Sequence, residues 1–412
     1  MTGSTTPIHQ THVVQNSAPL QAARGSNLSG VRAHNERLVL TLIRERGPLA
    51  KSEIARLSGL SAQTVSVIMR ALELDGLLIK GAPVRGKVGQ PSVPMALNPQ
   101  GAYFFGLKIG RRSLDLVLTD FLGTVQGRLQ HTHSYPSPQS VIEFAQRGMS
   151  ELMTALPKQD RARVAGLGIA LPFNLWDWSD ALGVDPCEME AWRHCDIRAE
   201  IQQNWDFPVI LENDATAACG AQLVFGADRP AAQFLYLYIG FFIGGGVVLN
   251  NTLFTGSTGN AGAIGSTLAP NPHTGQPQQL VELASLAQLE QSLEAQGLDG
   301  SCIWHVAQDW DIPDTLVEAW IDQAAKAIAY ACTNACAIMD LSDVIVDGWL
   351  PHNVRSALRD RIEQEISMLS LAGMSAPTIH CGTIGRDARA LGAASLPLSE
   401  RYLIDHRALT NT

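Results

Sequence analysis

Val65, Ile68, Met69 and Leu72 recur at three- and four-residue intervals within SAQTVSVIMRALELDG, the spacing of one apolar stripe on a helix. That stripe turns Gln63, Ser66 and Arg70 to the opposite face. Ser61 stands where a side-chain oxygen accepts from an orphan backbone N–H, and Gly76 where a helix ends. A shorter helical run, KSEIARLS, precedes it across Gly59-Leu60. An apolar strand (LLIK), a Gly-rich basic tip (GAPVRGKVGQP) and a return strand (VPMAL) follow. In that order the elements describe a winged helix-turn-helix, whose second helix enters the DNA major groove with its N-terminal residues nearest the bases. A helix-turn-helix match alone also fits a packed αα-hairpin. Charge separates the two.

Residues 31–90 carry ten Lys/Arg and five Asp/Glu in a chain whose formal charge is −9. A basic head on an acidic body is the electrostatic footprint of a phosphate backbone, and it makes double-stranded operator DNA the expected partner. Gln63 suits a bidentate contact to adenine, with Thr64 and Ser66 beside it and Arg70 reaching a base or a phosphate. Lys51, Arg85 and Lys87 are the expected phosphate contacts, with the wing tip directed at the minor groove.

Beyond the wing, short apolar runs alternate with longer amphipathic ones. YFFGLKIG, LDLVLTD and VQGRLQHTH predict three strands, with a turn at FLGT, and SVIEFAQRGMSELMTAL predicts a helix. VAGLGIAL reads as a buried strand, and PVILEND as a strand running directly into the helix ATAACGAQLVFG. The theme then repeats, with strands FLYLYIG and GGGVVLNN, helices SLAQLEQSLEAQ and TLVEAWIDQAAKAIAYACTNACAIM, strands VIVDGWL and TIHCG, and a last helix RDARALGAASLPLSE. Two successive blocks of strands and helices predict an α/β body of two similar lobes with a ligand cleft between them.

The expected divisions are an arm (1–30), the winged head (31–98), a first lobe (99–230) and a second lobe (231–412). The final helix, about 385–400, is expected to pack back on the first lobe. A length of 412 residues, 46% hydrophobic and 17% charged, supports a sizeable core. No apolar stretch reaches the roughly 18–20 uncharged residues of a membrane span. The first 27 residues lack the basic start and apolar core of a signal peptide and read as a polar, disordered arm. Cysteines at 187, 195, 219, 302, 332, 336 and 381 form no CxxC or CxC pair. Cys332 and Cys336 read as buried thiols on a helix, and the expected compartment is reducing cytoplasm.

The winged head, the motif ENDATAACGAQLVFG, the hairpin YIGFFIGGGVVLNN and the segment GNAGAIG together resemble the ROK family. That resemblance runs from about Asn35 to Leu396. It implies an actin-like, two-lobed ATPase fold shared by sugar-responsive repressors and sugar kinases. Asp214 matches the family's catalytic base and Asn213 its hydroxyl-binding neighbour, although Asn and Asp at that point also suit a helix N-cap. Other family motifs are altered. Lys108 stands where an Asp helps place the metal, and Arg111-Arg112 where Gly-Thr opens the phosphate turn. Phe241-Phe242 replace Thr and Gly in the second phosphate turn, and VIVDGWLP keeps only Gly348 of a glycine run. These changes argue against ATP and against catalysis.

On the sugar side, Gly259 to Ser266 reads GNAGAIGS, with Ala263 and Ser266 where the family carries Glu and His. The cysteine cluster that holds structural zinc in the family is missing, so no metal and no cofactor are expected, with His273 a loop residue. Candidate ligand contacts are Asn174, Trp176, Asn213, Asp214, Asn260, Gly262 and Ser266. Trp176 and Trp178 offer a flat platform for a sugar ring, with Asn174 and Asp177 as polar partners, or else simply pack a loop. Gln90 also departs from the family, which often has Arg there.

The sequence therefore points to a DNA-binding regulator, a repressor of carbohydrate genes, that senses a sugar or sugar derivative in the cleft. A homo-oligomer, dimer or tetramer, is the expected assembly. An active sugar kinase carrying a DNA-binding head, and a regulator controlled by a protein partner, stay open as alternatives.

Overall fold

The computed structural model describes residues 28–83, 93–173, 175–178, 185–227, 231–305 and 310–404. Its first helix, α1 (Leu28–Arg46), starts inside the stretch read as an arm. The expected pattern places no helix before Lys51. Val39, Leu40 and Ile43 are the buried stripe that holds α1 against α2 (Lys51–Ser58) and α3 (Ala62–Leu74). Ser61 Oγ accepts from the Thr64 N–H at 3.1 Å, capping α3 as its position predicts. Gly76, at φ +75°, takes the left-handed turn that closes the helix. β1 (Leu78–Lys80) and β2 (Met95–Leu97) pair antiparallel as the root of the wing. The wing tip, with Arg85, Lys87 and Gln90, lies outside the described residues.

Two sheets of the body share one strand order. The first runs β5 (Val125–Thr132), β4 (Ser113–Thr119), β3 (Tyr103–Ile109), β6 (Val164–Leu171), β7 (Val209–Asn213). The second runs β10 (Thr252–Phe254), β9 (Ile243–Leu249), β8 (Phe234–Ile239), β13 (Asp343–Gly348), β14 (Thr378–Cys381). In each, an antiparallel meander is continued by two parallel strands, so the repetition read from the hydrophobic pattern is a repetition of topology. A small ribbon, β11 (Leu268–Pro270) with β12 (Pro277–Gln279), hangs from the second lobe.

Strand alternation decides which helices cover which face. Tyr103, Phe105, Leu107 and Ile109 of β3 join a core with α4 (Pro138–Ala155), which also takes in the short helices α5 (Pro186–Glu190) and α6 (Ile197–Gln202). Phe104, between them, faces the other way, toward the last helix. In the second sheet, Leu235, Leu237 and Ile239 join a core with helices later in the chain. These are α8 (Leu280–Ala284), α9 (Leu286–Ala295), α10 (Asp314–Met339) and α11 (His352–Ser367), and Cys332 and Cys336 of α10 are buried there. Phe234, Tyr236 and Tyr238 turn instead to α7 (Asp214–Phe225) and to Ala388 at the start of α12 (Ala388–Tyr402).

The seat of α12 is unusually tight. A Cβ on Gly168 of β6 would stand 1.8 Å from the Ala393 carbonyl, and one on Gly392 would stand 2.0 Å from that of Ala217 in α7. The lead-in to α12 is pinned to the second lobe by Asp347, which is fully buried. That carboxylate accepts from Arg355 Nη1 at 2.6 Å, Tyr236 O–H at 3.1 Å and the Gly385 N–H at 3.0 Å. Toward its other end, Leu398 of α12 belongs to one continuous apolar cluster with Leu72 and Leu97 of the head and Phe104 and Phe121 of the first lobe. Arg44 of α1 donates to the Phe121 carbonyl at 2.6 Å, and the Ile404 N–H donates to Thr41 Oγ1 at 3.1 Å.

Candidate nucleic-acid interface and ligand cleft

Gln63, Ser66 and Arg70 are exposed together on α3, on the face opposite the buried Val65, Ile68, Met69 and Leu72. Lys51 is exposed at the first turn of α2. Thr64 is half-buried, and its hydroxyl shares a 2.8 Å hydrogen bond with Ser61 Oγ, so it serves the cap of the helix as well as its leading edge. Sequence reasoning passed over Val67, which is 61% exposed on the same turn as Gln63 and gives that face an apolar contact of the kind that reads a thymine methyl. It also passed over α1. Val31, Arg32 and Asn35 border a groove of about 350 Å³ with Gln63, Thr64 and Val67.

Between the lobes lies a cavity of about 320 Å³ that brings together Asn213, Asp214, Asn260, Gly262 and Ser266. They arrive from separate places: the end of β7, the start of α7, and the loop between β10 and β11. Gly262 belongs there because a Cβ on it would stand 2.6 Å from Gly246 Cα in β9. Asn213 does the capping that its position allows: its Oδ1 accepts from the N–H groups of Ala215 at 3.0 Å and Thr216 at 3.2 Å. Aromatic walls come from Phe173, Tyr238, Phe241 and Phe242.

One of the expected contacts, Trp176, is not found there. Asn174 lies outside the described residues, as do the side chains of Asp177 and Trp178. Trp176 does not line the cleft. It lines a neighbouring cavity with Trp192, and the Arg193 guanidinium sits 5.1 Å from its ring centroid. The indole is engaged by that cation, and Phe173 is the aromatic that reaches the cleft in its place.

Arg389, the first full turn of α12, is the residue that sequence reasoning missed. Its Nη1 donates to Asp214 Oδ2 at 3.2 Å, and its guanidinium carbon lies 4.8 Å from the Tyr238 ring centroid. A general base needs a free lone pair aimed at the reacting hydroxyl. Here one oxygen of the carboxylate at the family's base position, Oδ2, accepts from a cation.

The altered phosphate turns meet each other across the cleft. Arg111, from the turn between β3 and β4, lays its guanidinium 3.2 Å from the Phe241 ring centroid, and Phe241 packs edge-on to Phe242 at 4.7 Å. Arg111 and Arg112 both approach Glu290 of α9, at 3.9 and 3.4 Å. Burial and the neighbouring Arg112 push the Arg111 pKa down to about 10 against the pull of Glu290. Lys108 is not among the residues lining the cavity and donates to Ser113 Oγ at 2.9 Å. Burial, then the charge of Arg389, pushes its ammonium down to about 7, with Asp115 and Asp214 opposing. Backbone amides in turns of this kind cradle phosphate only when small residues let it approach. In this cleft a stacked Arg–Phe pair stands on the wall where small residues would be needed.

Among the described residues no group of three or more His, Cys, Asp or Glu side chains is placed to hold a metal ion, and His273 is exposed in the loop before β12. No helix among the described residues is long and apolar enough to cross a membrane.

Comparison with known proteins covers both halves of this description. The winged helix-turn-helix DNA-binding family matches residues 32–79. An uncharacterized protein of Sinorhizobium fredii is 26% identical over 376 residues, 89% of this chain and 91% of its own. The xylose repressor of Bacillus subtilis is 28% identical over 236 residues, so that 57% of this chain matches 60% of the repressor. Among solved structures, a ROK family transcriptional regulator homologous to the E. coli MLC protein aligns with a TM-score of 0.64 at 20% identity, over 90% of this chain and 97% of its own. A ROK family glucokinase from Streptomyces griseus, solved with glucose and AMPPNP, aligns with a TM-score of 0.55 at 19% identity, over 72% of this chain and 99% of its own. At those identities the structures speak for the fold alone. The ROK family itself matches residues 104–400, through both lobes and the cleft they enclose, and on that breadth the chain belongs to the ROK family.

Proposed function

We propose that this protein is a transcriptional repressor of carbohydrate genes that senses a sugar or sugar derivative in the inter-lobe cleft and no longer phosphorylates it. The observation that carries the reading is the course of α12. One end of that helix places Arg389 against Asp214 in the cleft, and the other end packs on α1 of the DNA-reading head. A ligand that competes for Asp214 acts directly on the helix that supports the head. It shifts DNA binding only by as much as it prefers one arrangement over the other. Resemblance to xylose repressors supports the same reading.

Loss of kinase activity rests on the pairing of Asp214 with Arg389 and on the Arg111–Phe241 stack. Asn213, Asp214, Asn260 and Ser266 supply hydrogen bonds for sugar hydroxyls, and Phe173 a flat apolar face. In the head, Gln63, Ser66 and Val67 read bases, while Lys51, Arg70, Arg85 and Lys87 hold the backbone. A homodimer or tetramer presents paired heads to a partly palindromic operator.

The test is fluorescence anisotropy of the full chain on the DNA upstream of its own gene, against a panel of free sugars with and without MgATP. Release by one sugar in the absence of ATP is the expected result. Sugar-dependent ATP turnover that disappears in Asp214→Asn would overturn the loss of kinase activity. DNA binding that no sugar alters would overturn sugar sensing and leave control to a protein partner.

A further inference from the structure

A second cavity, of about 390 Å³, lies in the seam between the head and the first lobe, well apart from the cleft. We propose that it binds a phosphorylated small molecule, held by the guanidinium groups of Arg37, Arg163 and Arg401 and by the hydroxyl of Tyr402.

The three arginines come from three separate parts of the fold. Arg37 is on α1, Arg163 ends the short turn before β6, and Arg401 is in the last turn of α12. Arg163 is already positioned: its Nη1 donates to the carbonyls of Gln100 at 3.2 Å and Gly101 at 3.4 Å. Among the described residues none of the three has a carboxylate at ion-pair distance. The acids on the same walls are Glu36 and Asp75. Glu36 is taken by Arg32 at 2.8 Å, which leaves Asp75 as the other acid in a lining with three guanidinium groups.

Tyr402 completes the set. Its ring is wedged edge-on against Phe121 at 5.1 Å and Phe104 at 5.9 Å. Its hydroxyl lies in the fields of Arg401, Arg163 and Asp75 and has no hydrogen-bond partner among the described residues. A wall with an excess of planar donor forks matches the oxygens of a phosphate better than a single carboxylate, which one fork satisfies. The volume is in the range that admits a phosphorylated sugar or a molecule of that size.

The phosphate in question is not that of the operator. The cavity meets α3 at Leu72 and Asp75, whereas Gln63 and Ser66 read bases near the other end of that helix. Twelve residues of helix separate Gln63 from Asp75, roughly 18 Å along the axis. An anion seated here bridges Arg37 of the head to Arg163 and Arg401 of the body, so it fixes the angle between them. It is a second input to DNA binding that does not pass through the cleft.

The experiment is titration calorimetry and thermal unfolding of the full chain with ribose 5-phosphate, inorganic phosphate and free ribose, at constant ionic strength because surface charge pairs are screened by salt. One ribose 5-phosphate per chain is expected, with inorganic phosphate weaker and ribose silent. The double variant Arg37→Gln, Arg401→Gln is expected to lose at least tenfold in affinity while melting where the parent melts. Ala162→Glu, an exposed substitution on the same wall, is expected to do the same by repulsion, so misfolding of either variant does not decide the matter. Undiminished binding in both variants, or no binding beyond that of chloride, would overturn the site. Loss of phosphate binding in Asp214→Asn would move the anion to the cleft and overturn it equally.

Discussion

Arg389 and Asp214 lie 175 positions apart in sequence, and their side chains meet at 3.2 Å inside the cleft. The contact joins the first turn of α12 to the first turn of α7, where a carboxylate is also favoured by the helix dipole. Removing the cation leaves that carboxylate, only 16% exposed, without its ion-pair partner. Arg389→Ala is expected to cost about 2–3 kcal/mol, less than the roughly 3–5 kcal/mol of fully buried pairs because water still reaches both groups. Urea unfolding measures it. A change within error would mean that the pair is a surface contact and does not anchor α12.

Specificity and affinity should separate within the head. Gln63→Ala is expected to relax discrimination at one base pair by about 1–3 kcal/mol while leaving binding to random DNA unchanged. Lys51→Ala is expected to weaken binding to all sequences alike and to reduce the salt slope by about one. Binding isotherms at several salt concentrations, on operator and scrambled DNA, distinguish the two. The same phenotype in both variants would refute the assignment of bases to α3 and phosphates to α2.

Gly168 tests the seat of α12. The atom that an added methyl would meet is the backbone carbonyl of Ala393, which cannot swing aside as a side chain can. Gly168→Ala is therefore expected to lift the helix from β6 and to cost about 3 kcal/mol, at the upper end of ordinary overpacking. DNA release by ligand should weaken in parallel, since the lifted helix no longer connects cleft and head. Normal ligand response in a destabilised variant would show that the signal travels by another route.

His133 sets an acid limit on stability. Both of its ring nitrogens are buried without a hydrogen-bond partner among the described residues. Burial, then the charges of Lys108 and His131, pushes its pKa down from 6.5 to about 4. Between those two values the unfolded chain holds the proton and the folded chain does not, so stability rises with pH across the window and is lost as pH falls through it. His133→Phe should flatten that limb. Urea midpoints at pH 4.5, 5.5 and 7 are the measurement, and an unchanged slope would exclude His133 as its source.

Much of this fold is legible along the chain because periodicity records which face is buried. Val65, Ile68, Met69 and Leu72 mark α3, and the alternation through Tyr103, Phe105 and Leu107 marks a strand with two covered faces. Helix α1 is harder to read, since its buried stripe of Val39, Leu40 and Ile43 occupies only its second half. At the candidate site, Asn213 and Asp214 stand out from a local motif. Arg389 carries no local mark, because its partner is fixed only when α12 returns to the first lobe. The direction of Trp176 was likewise unreadable, since the packing of Arg193 against it decides which way the indole points. Lys108, Arg111 and Arg112 are visible as misfits in a phosphate turn, but that Arg111 stacks on Phe241 follows from how close the two lobes stand.

The apolar cluster that runs from Leu72 and Leu97 through Phe104 and Phe121 to Leu398 has a consequence for modularity. A reading head of this kind is no detachable cassette. Cut at the wing, it would leave a raw oily surface on both fragments, and neither would inherit a finished interior. Chimeras that exchange heads between relatives have to carry the matching side chains of α12 along with them, and a gene that acquires a new head by recombination must repair the far end of its own chain as well.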